Sequence, residues 1–116
     1  MYVDGYVIPV RKTNRESYLE VARIAAPVFK EHGALKVVET WGDDVPRGKQ
    51  TDFFMAVQCA EDENVVFSWI VWPDKATRDA GMAKVMQDPR MDMDPASMPF
   101  DGKRMIFGGF EVLLDA

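Results

Sequence analysis

The stretch Val65 to Trp72, VVFSWIVW, constrains the fold of this chain more than any other segment. An unbroken run of branched and aromatic residues is typical of a β-strand. Neighbouring residues of a strand point to opposite faces of the sheet, and in this stretch both faces are apolar apart from Ser68. We therefore predict a central strand, with protein packed against each face of its sheet.

Two helices are predicted between the strands. The sequence TNRE at Thr13–Glu16 has the spacing of a capping box, and apolar residues then recur at helical spacing as far as Gly33. Pro27 interrupts this pattern, and because proline has no amide hydrogen we expect a kink or an early end there. The second helix is predicted from Asp74 to about Gln87, before a proline that closes it.

Three further strands are predicted by their branched and aromatic residues, at Tyr2 to Val10, Ala34 to Trp41 and Lys103 to Leu114. Thr51 to Ala60 is predicted to be a strand or a hairpin arm. Residues 42–50 are predicted to be a loop because they are rich in glycine, proline and charge, and the prolines of residues 88–102 predict an irregular segment.

The predicted order of strand, helix, strand, strand, helix, strand is the split βαβ (βαββαβ) arrangement of ferredoxin-like folds. We expect a single α+β domain over residues 1–116, with an antiparallel sheet and its helices on one face. The predicted central strand is apolar on both faces, with Val65, Phe67, Trp69 and Val71 on one and Val66, Ile70 and Trp72 on the other, so the face without helices is apolar as well. A patch of this size is seldom left in water, so we expect a second copy to cover it in a symmetric homodimer.

Composition excludes several classes of function. The formal charge is -5, and 14 basic residues are scattered among 19 acidic ones, so the basic stripe that binds nucleic acid or an anionic membrane is missing. No apolar run reaches the roughly 20 residues needed to span a bilayer, and the N-terminus lacks the pattern of a secretion signal. We expect a cytoplasmic protein with no nucleic-acid or membrane partner.

Because Cys59 is the only cysteine, the chain forms no internal disulfide and no thiolate cluster that could bind structural zinc. The single histidine, His32, precedes Gly33 at a helix end and has no second histidine to share a zinc or haem site. Met91, Met93 and Met98 have a spacing that copper(I) would accept, but methionine more often serves packing, and the alternative role for these three is at a dimer seam. We expect neither a metal site nor a cofactor.

Several segments together resemble a known family. They are VDG (Val3 to Gly5), FKEHGALKVVETWGDDVP (Phe29 to Pro46), GKQTDF (Gly48 to Phe53), VVFSWI (Val65 to Ile70), DPRM (Asp88 to Met91) and MPFDGKRMIFGGFE (Met98 to Glu111). These segments resemble the YbaA-like domain of unknown function, a family of small bacterial proteins in the dimeric α+β barrel superfamily. The resemblance covers nearly the whole chain and implies the fold and the dimer, but no catalytic residues.

The wider superfamily includes cofactor-free monooxygenases, lactone isomerases, haem enzymes and members with no known chemistry, so the shared fold does not decide function. By analogy with that superfamily, a ligand pocket is expected between the sheet and the helices.

Glu39 is the first candidate site residue. It shares a strand face with Val37 and Trp41, where loss of water would raise the pKa of the carboxyl group and suit it to proton transfer. The structural alternative is an ion pair with an arginine such as Arg104 on a neighbouring strand. Asp43 and Asp44 follow in the loop, where turn formation is expected rather than metal binding.

Asp101 and Arg104 form the second candidate, at the start of the last predicted strand. As a functional residue, Arg104 would bind a substrate carboxylate or an enolate oxygen. As structural residues, Asp101 would cap the turn while Arg104 pairs with Glu39 or across the dimer.

Two hypotheses follow for the function. The first is a dimeric protein that binds a small apolar or aromatic ligand, with Trp41, Trp69, Asp101 and Phe107 as candidate binding residues. The second is a cofactor-independent enzyme of monooxygenase or isomerase type, acting on a small aromatic or enolisable substrate, with Glu39 as acid/base and Arg104 or Trp41 holding the oxyanion.

Overall fold

Four antiparallel strands form one sheet in the computed structural model of the chain, which describes residues 1–116. They are β1 (Tyr2–Arg11), β2 (Lys36–Trp41), β3 (Glu63–Trp72) and β4 (Ile106–Glu111). The spatial order is β2-β3-β1-β4, so β3 is an inner strand between β2 and β1. This confirms the inner position predicted from the VVFSWIVW stretch and the α+β class with its antiparallel sheet.

Three helices accompany the sheet: α1 (Arg15–Glu31) between β1 and β2, α2 (Phe53–Ala56) before β3, and α3 (Lys75–Gln87) after β3. Short 3-10 turns occupy Lys12–Asn14, Pro89–Met91 and Pro95–Ser97. No helix combines the length and apolar character needed to cross a membrane.

Helices α1 and α3 pack on the face of the sheet that carries Ile8, Ile70 and Trp72. The closest approach is at the buried Gly81 of α3, where a Cβ atom would lie only 2.6 Å from the Trp72 ring. Any larger residue would push α3 away from the sheet, so glycine sets this spacing.

A buried ion pair fixes one end of this core. Asp4 of β1 is 3% exposed and accepts hydrogen bonds from Nε1 of Trp72 at 2.9 Å and from Arg78 of α3 at 2.7 Å. Because the carboxylate and the guanidinium satisfy each other, this charge is tolerated in the interior. It ties β1, β3 and α3 together.

One local prediction for α1 is wrong. The capping box at Thr13–Glu16 does not form, because the chain leaves β1 through a 3-10 turn and the N-cap residue Asn14 makes no side-chain cap. Of the two outcomes expected at Pro27, the early end does not occur, since the helix continues to Glu31, close to the stop predicted at Gly33. Val28 is fully buried just beyond the proline, so packing of the last turn offsets the one hydrogen bond that is missing.

The predicted strand at Thr51 to Ala60 is also wrong, because α2 lies there. The Asp52 carboxylate accepts hydrogen bonds from the backbone amides of Met55 at 2.7 Å and Gly48 at 3.0 Å. This N-cap starts a helical turn despite the β-like composition. Likewise β4 begins at Ile106 rather than Lys103, because Asp101 accepts from the Lys103 amide in a turn.

The second face of the sheet has little cover. Phe53 of α2 lies 6.0 Å from Phe67 between ring centroids, and α2 shields only this end. Phe67, Ile106 and Phe110 remain 40%, 46% and 61% exposed. The homodimer predicted to cover this face stays a prediction.

Candidate functional site

A cavity of about 200 Å³ lies between α1 and the sheet. Small residues on one face of α1, Ala22, Ala25 and Ala26, leave the space that larger side chains would fill. The remaining lining residues are Tyr6, Ile8, Tyr18, Val21, Phe29, Val37, Glu39, Ser68, Ile70, Met91, Met98, Phe100 and Met105. The cavity is therefore apolar apart from one carboxyl group and three hydroxyl groups.

The polar end of the cavity is built around a hydrogen bond between α1 and β2. The buried Tyr18 hydroxyl donates to Oε1 of Glu39 at 2.6 Å. Glu39 lies directly opposite Ser68 of β3 in the strand register. β2 is an edge strand, so Glu39 as a residue is exposed while its carboxylate lines the cavity beside Tyr18.

This environment shifts the proton equilibria of the three groups. Loss of water raises the pKa of Glu39, although hydrogen bonds from Tyr18 and Ser68 oppose the shift. Burial raises the pKa of Tyr6 to about 12, and burial together with the neighbouring Glu39 raises the pKa of Tyr18 further. Both tyrosines therefore remain protonated donors at neutral pH, and Glu39 is the group in the cavity able to exchange a proton.

Residues 88–105, which we call the strap, close the cavity with Met91, Met98, Phe100 and Met105. Ion pairs hold the strap at both ends. At its start Arg90 binds Asp88 at 2.8 Å and also pairs with Glu31 of α1. At its end Arg104 binds Glu63 of β3 at 2.7 Å.

Of the residues proposed from the sequence, only Glu39 lines this cavity. Arg104 does not pair with Glu39, so that predicted ion pair is wrong. Instead it donates to both carboxylate oxygens of Glu63, to Asp101 and to the carbonyl oxygen of Gln58. Asp101 does form the expected turn, by accepting from the Lys103 amide.

The predicted aromatic residues are dispersed. Trp41 lies under the Arg15 guanidinium, which is 5.3 Å from its ring centroid, and outside the cavity. Trp69 is on the opposite face of the sheet, in edge contact with Phe67. Phe107 stacks on the Tyr6 ring at 6.1 Å but is itself 69% exposed. The three rings belong to three different strands and do not meet at one site.

Neither His32 nor Met93 lines the cavity. Nε2 of His32 is 3.3 Å from Asp88, outside the cavity, and Met93 does not line the cavity although Met91 and Met98 do. No group of three or more histidine, cysteine, aspartate or glutamate side chains is arranged to hold a metal ion.

Sequence reasoning missed Tyr6, Tyr18 and Ser68 as polar residues of the site. Tyr18 falls within the helical repeat of apolar residues in α1, and no sequence signal places its hydroxyl group beside Glu39. Ser68 was visible as the single polar residue of its strand. In a core strand, such a residue marks a place where a polar partner is needed.

The fold and the cavity define a class: small α+β proteins with a four-stranded antiparallel sheet and an apolar cavity under the first helix. The family described as "Protein of unknown function (DUF1428)" matches residues 1–102. Proteins named "Uncharacterized protein YbaA" from Escherichia coli (strain K12) and from Shigella flexneri are each 58% identical over 114 residues, which is 98% of this chain and 97% of theirs. The chain belongs to this bacterial family of unknown function, as its resemblance indicated.

A solved structure agrees with the fold. The crystal structure of an uncharacterized NIPSNAP domain protein from Burkholderia xenovorans aligns with a TM-score of 0.55 over 97% of this chain and 94% of that one. The two sequences are only 11% identical, so the likeness concerns the fold alone.

Proposed function

We propose that this protein binds a small, largely apolar molecule in the cavity between α1 and the sheet. The observation that carries the proposal is the cavity itself, about 200 Å³ of apolar space with one hydrogen-bonded carboxyl group at its end. An apolar cavity of roughly 150 Å³ is enough to hold benzene. A ligand with an aromatic body and one hydrogen-bonding group fits both the volume and the polar end.

Methionine methyl groups provide a direct test. With ¹³C-methyl methionine labelling, titration with phenol is expected to shift the signals of Met91, Met98 and Met105, which line the cavity. Met55 and Met86 lie elsewhere and are exposed, so they serve as internal controls. Saturable shifts confined to the lining methionines support the proposal, whereas no shift at millimolar phenol contradicts it.

A cavity-filling variant strengthens the test. Ala25 lines the cavity, so Ala25→Leu is expected to weaken phenol binding at least tenfold by occupying its space. The matched control is Ala83→Leu on the exposed surface of α3, which leaves the cavity unchanged. Circular dichroism checks that both variants fold, and equal phenol binding by both would contradict the assignment of the cavity.

A cofactor-independent enzyme is the second candidate, favoured by the raised pKa of Glu39 in an apolar setting. Glu39 would take a proton from carbon, while the electron pair of that bond moves to a carbonyl oxygen held by a tyrosine hydroxyl group. Arg104 is engaged with Glu63, Trp41 lies outside the cavity and Tyr18 donates its hydroxyl hydrogen to Glu39, so Tyr6 replaces them as the oxyanion donor in this proposal.

The enzyme hypothesis has its own readout. The protein is expected to accelerate exchange of the acidic C–H protons of phenylacetone for deuterium, and Glu39→Gln is expected to abolish the acceleration. If the wild-type protein binds phenol but does not accelerate the exchange, the enzyme hypothesis is contradicted and ligand binding stays the proposed function.

The proposal includes a homodimer, in which a second copy covers the free face of the sheet. Its support is the exposure of Phe67, Ile106 and Phe110 on one face, because such apolar patches usually mark contact surfaces. Two-fold dimers, in which the same surface of each copy meets its partner, are the commonest symmetric assemblies.

A further inference from the structure

A second pocket adjoins the cavity on the far side of the Tyr18–Glu39 hydrogen bond. It has a volume of about 160 Å³, and we call it the outer pocket. Besides Tyr18 and Glu39, its lining consists of Arg15, Leu19, Thr40, Trp41 and Val66. Because Tyr18 and Glu39 border both spaces, the cavity and the outer pocket meet at this hydrogen bond.

Arg15 is the only arginine of the chain without a carboxylate partner. The others, Arg11, Arg23, Arg47, Arg78, Arg90 and Arg104, each have a carboxylate oxygen within 3.8 Å. Helix α1 places Tyr18 and Leu19 three and four residues after Arg15, where an acidic residue would otherwise pair with it. The sequence thus leaves this guanidinium free.

The guanidinium of Arg15 is nevertheless held in position. It lies over the Trp41 ring, 5.3 Å from the ring centroid, in a cation–π contact. This contact leaves the N–H groups of the exposed Arg15 available for a planar carboxylate. An unpaired cation therefore lies in the lining of a pocket next to an apolar cavity.

We infer that the cavity and the outer pocket form one binding site for a small carboxylic acid with an apolar body. The body lies in the cavity and the carboxylate pairs with Arg15. The inference rests on the proposed function, since it names the class of ligand for the same cavity. Ligand pockets usually have a volume of at least roughly 300 Å³. The cavity and the outer pocket are each smaller than this, but their volumes together exceed it.

A monoanion fits this site better than a dianion such as a phosphate monoester. The outer pocket offers one arginine, and the carboxyl group of Glu39 borders it. A second negative charge on the ligand would therefore have no cation to pair with and would be repelled by an ionised Glu39.

The test compares phenylacetate, 3-phenylpropanoate and 4-phenylbutanoate with their neutral primary amides, read by the methyl signals of Met91, Met98 and Met105. At least one acid is expected to bind about two- to fivefold more tightly than its amide, the range for one exposed ion pair. Arg15→Gln is expected to abolish this preference, and Arg15→Lys to retain part of it.

Arg23→Gln is the matched control, because Arg23 is an exposed arginine on the same helix that pairs with Glu20 at 2.6 Å. It is expected to keep the preference for the acid. Amides that bind as tightly as the acids, or a preference that survives Arg15→Gln, would overturn the acid site and leave the cavity as a site for neutral molecules. If neither the acids, nor the amides, nor phenol shift the methyl signals, the cavity proposal itself is overturned as well.

Discussion

At the scale of single residues, Glu39 lies on an edge strand but its carboxylate faces mostly apolar side chains. Its carboxylate accepts from the buried Tyr18 hydroxyl and lines a cavity of mostly apolar side chains. The period of two along β2 was enough to predict that Glu39 shares a face with Val37 and Trp41. The partner Tyr18 could not be predicted, because it depends on how α1 docks against the sheet.

The environment of Glu39 predicts how the stability of the protein depends on pH. Loss of water raises the pKa of Glu39 in the folded protein above its ordinary value of 4.5, so the folded state binds the proton more tightly than the unfolded state does. The free energy of unfolding contributed by Glu39 therefore falls as pH rises from that ordinary value through the folded pKa. Glu39→Gln, which can still accept from Tyr18, is expected to gain stability relative to the wild type across this window.

Urea unfolding at a series of pH values from about 4 to 8 measures the difference. Glu16→Gln is the control, because Glu16 is an exposed glutamate of α1 that forms no ion pair. A stability difference between Glu39→Gln and the wild type that stays constant with pH would show that Glu39 is not desolvated.

At the scale of elements, ion pairs hold the strap in place more than regular secondary structure does. Its two 3-10 turns are short, and Arg104 connects its end to Glu63 of β3 and to the carbonyl oxygen of Gln58, two residues after α2. Arg104 holds the pKa of Glu63 below its ordinary value through their hydrogen bonds. These contacts indicate a structural role for the residue first considered as an oxyanion holder.

We expect Arg104→Met to lower the free energy of unfolding by about 2 to 3 kcal/mol, because it leaves the buried Glu63 carboxylate without its partner. This lies at the low end for buried pairs, since the Arg104 side chain is 27% exposed. Adding Glu63→Gln is expected to restore part of the loss. Arg11→Met, which breaks an exposed pair with Asp62, should cost less than about 1 kcal/mol.

The measurement is urea unfolding of the four proteins together with phenol titration of each. Phenol binding by Arg104→Met is expected to match the wild type under conditions where the variant is folded. If binding is lost while stability is unchanged, Arg104 belongs to the functional site and its structural role is wrong.

The elements show why the sequence predicted some features and missed others. An unbroken apolar run predicted β3, and a start signal with a closing proline predicted the helix after it, whose N-cap Asp74 accepts from the Thr77 amide at 2.7 Å. α2 was missed because a single local cap, Asp52, outweighs a strand-like composition. The strap has no periodicity, so the prolines predicted its irregularity but nothing indicated that Met98 and Phe100 turn into the cavity.

At the scale of the whole molecule, the two faces of the sheet differ in how far they are covered by other elements. One face is covered by α1 and α3, and the other keeps Phe67, Ile106 and Phe110 in solvent in the single chain. Residues Phe107 and Phe110 of β4 lie on opposite faces, because Phe107 pairs in register with Tyr6 on the covered side and Phe110 pairs with Val3 on the free side. The strand therefore offers a matched pair of positions for testing the homodimer.

We expect the wild-type protein to sediment at micromolar concentration with about twice its chain mass of 13.2 kDa. Phe110→Glu is expected to raise the dissociation constant at least tenfold, because it places an unpaired charge in an apolar contact. Phe107→Glu is the control, since an equally exposed phenylalanine on the other face should leave the dimer intact. A wild-type protein that sediments as a monomer would contradict the homodimer, and dissociation by Phe107→Glu alone would move the contact to the other face of β4.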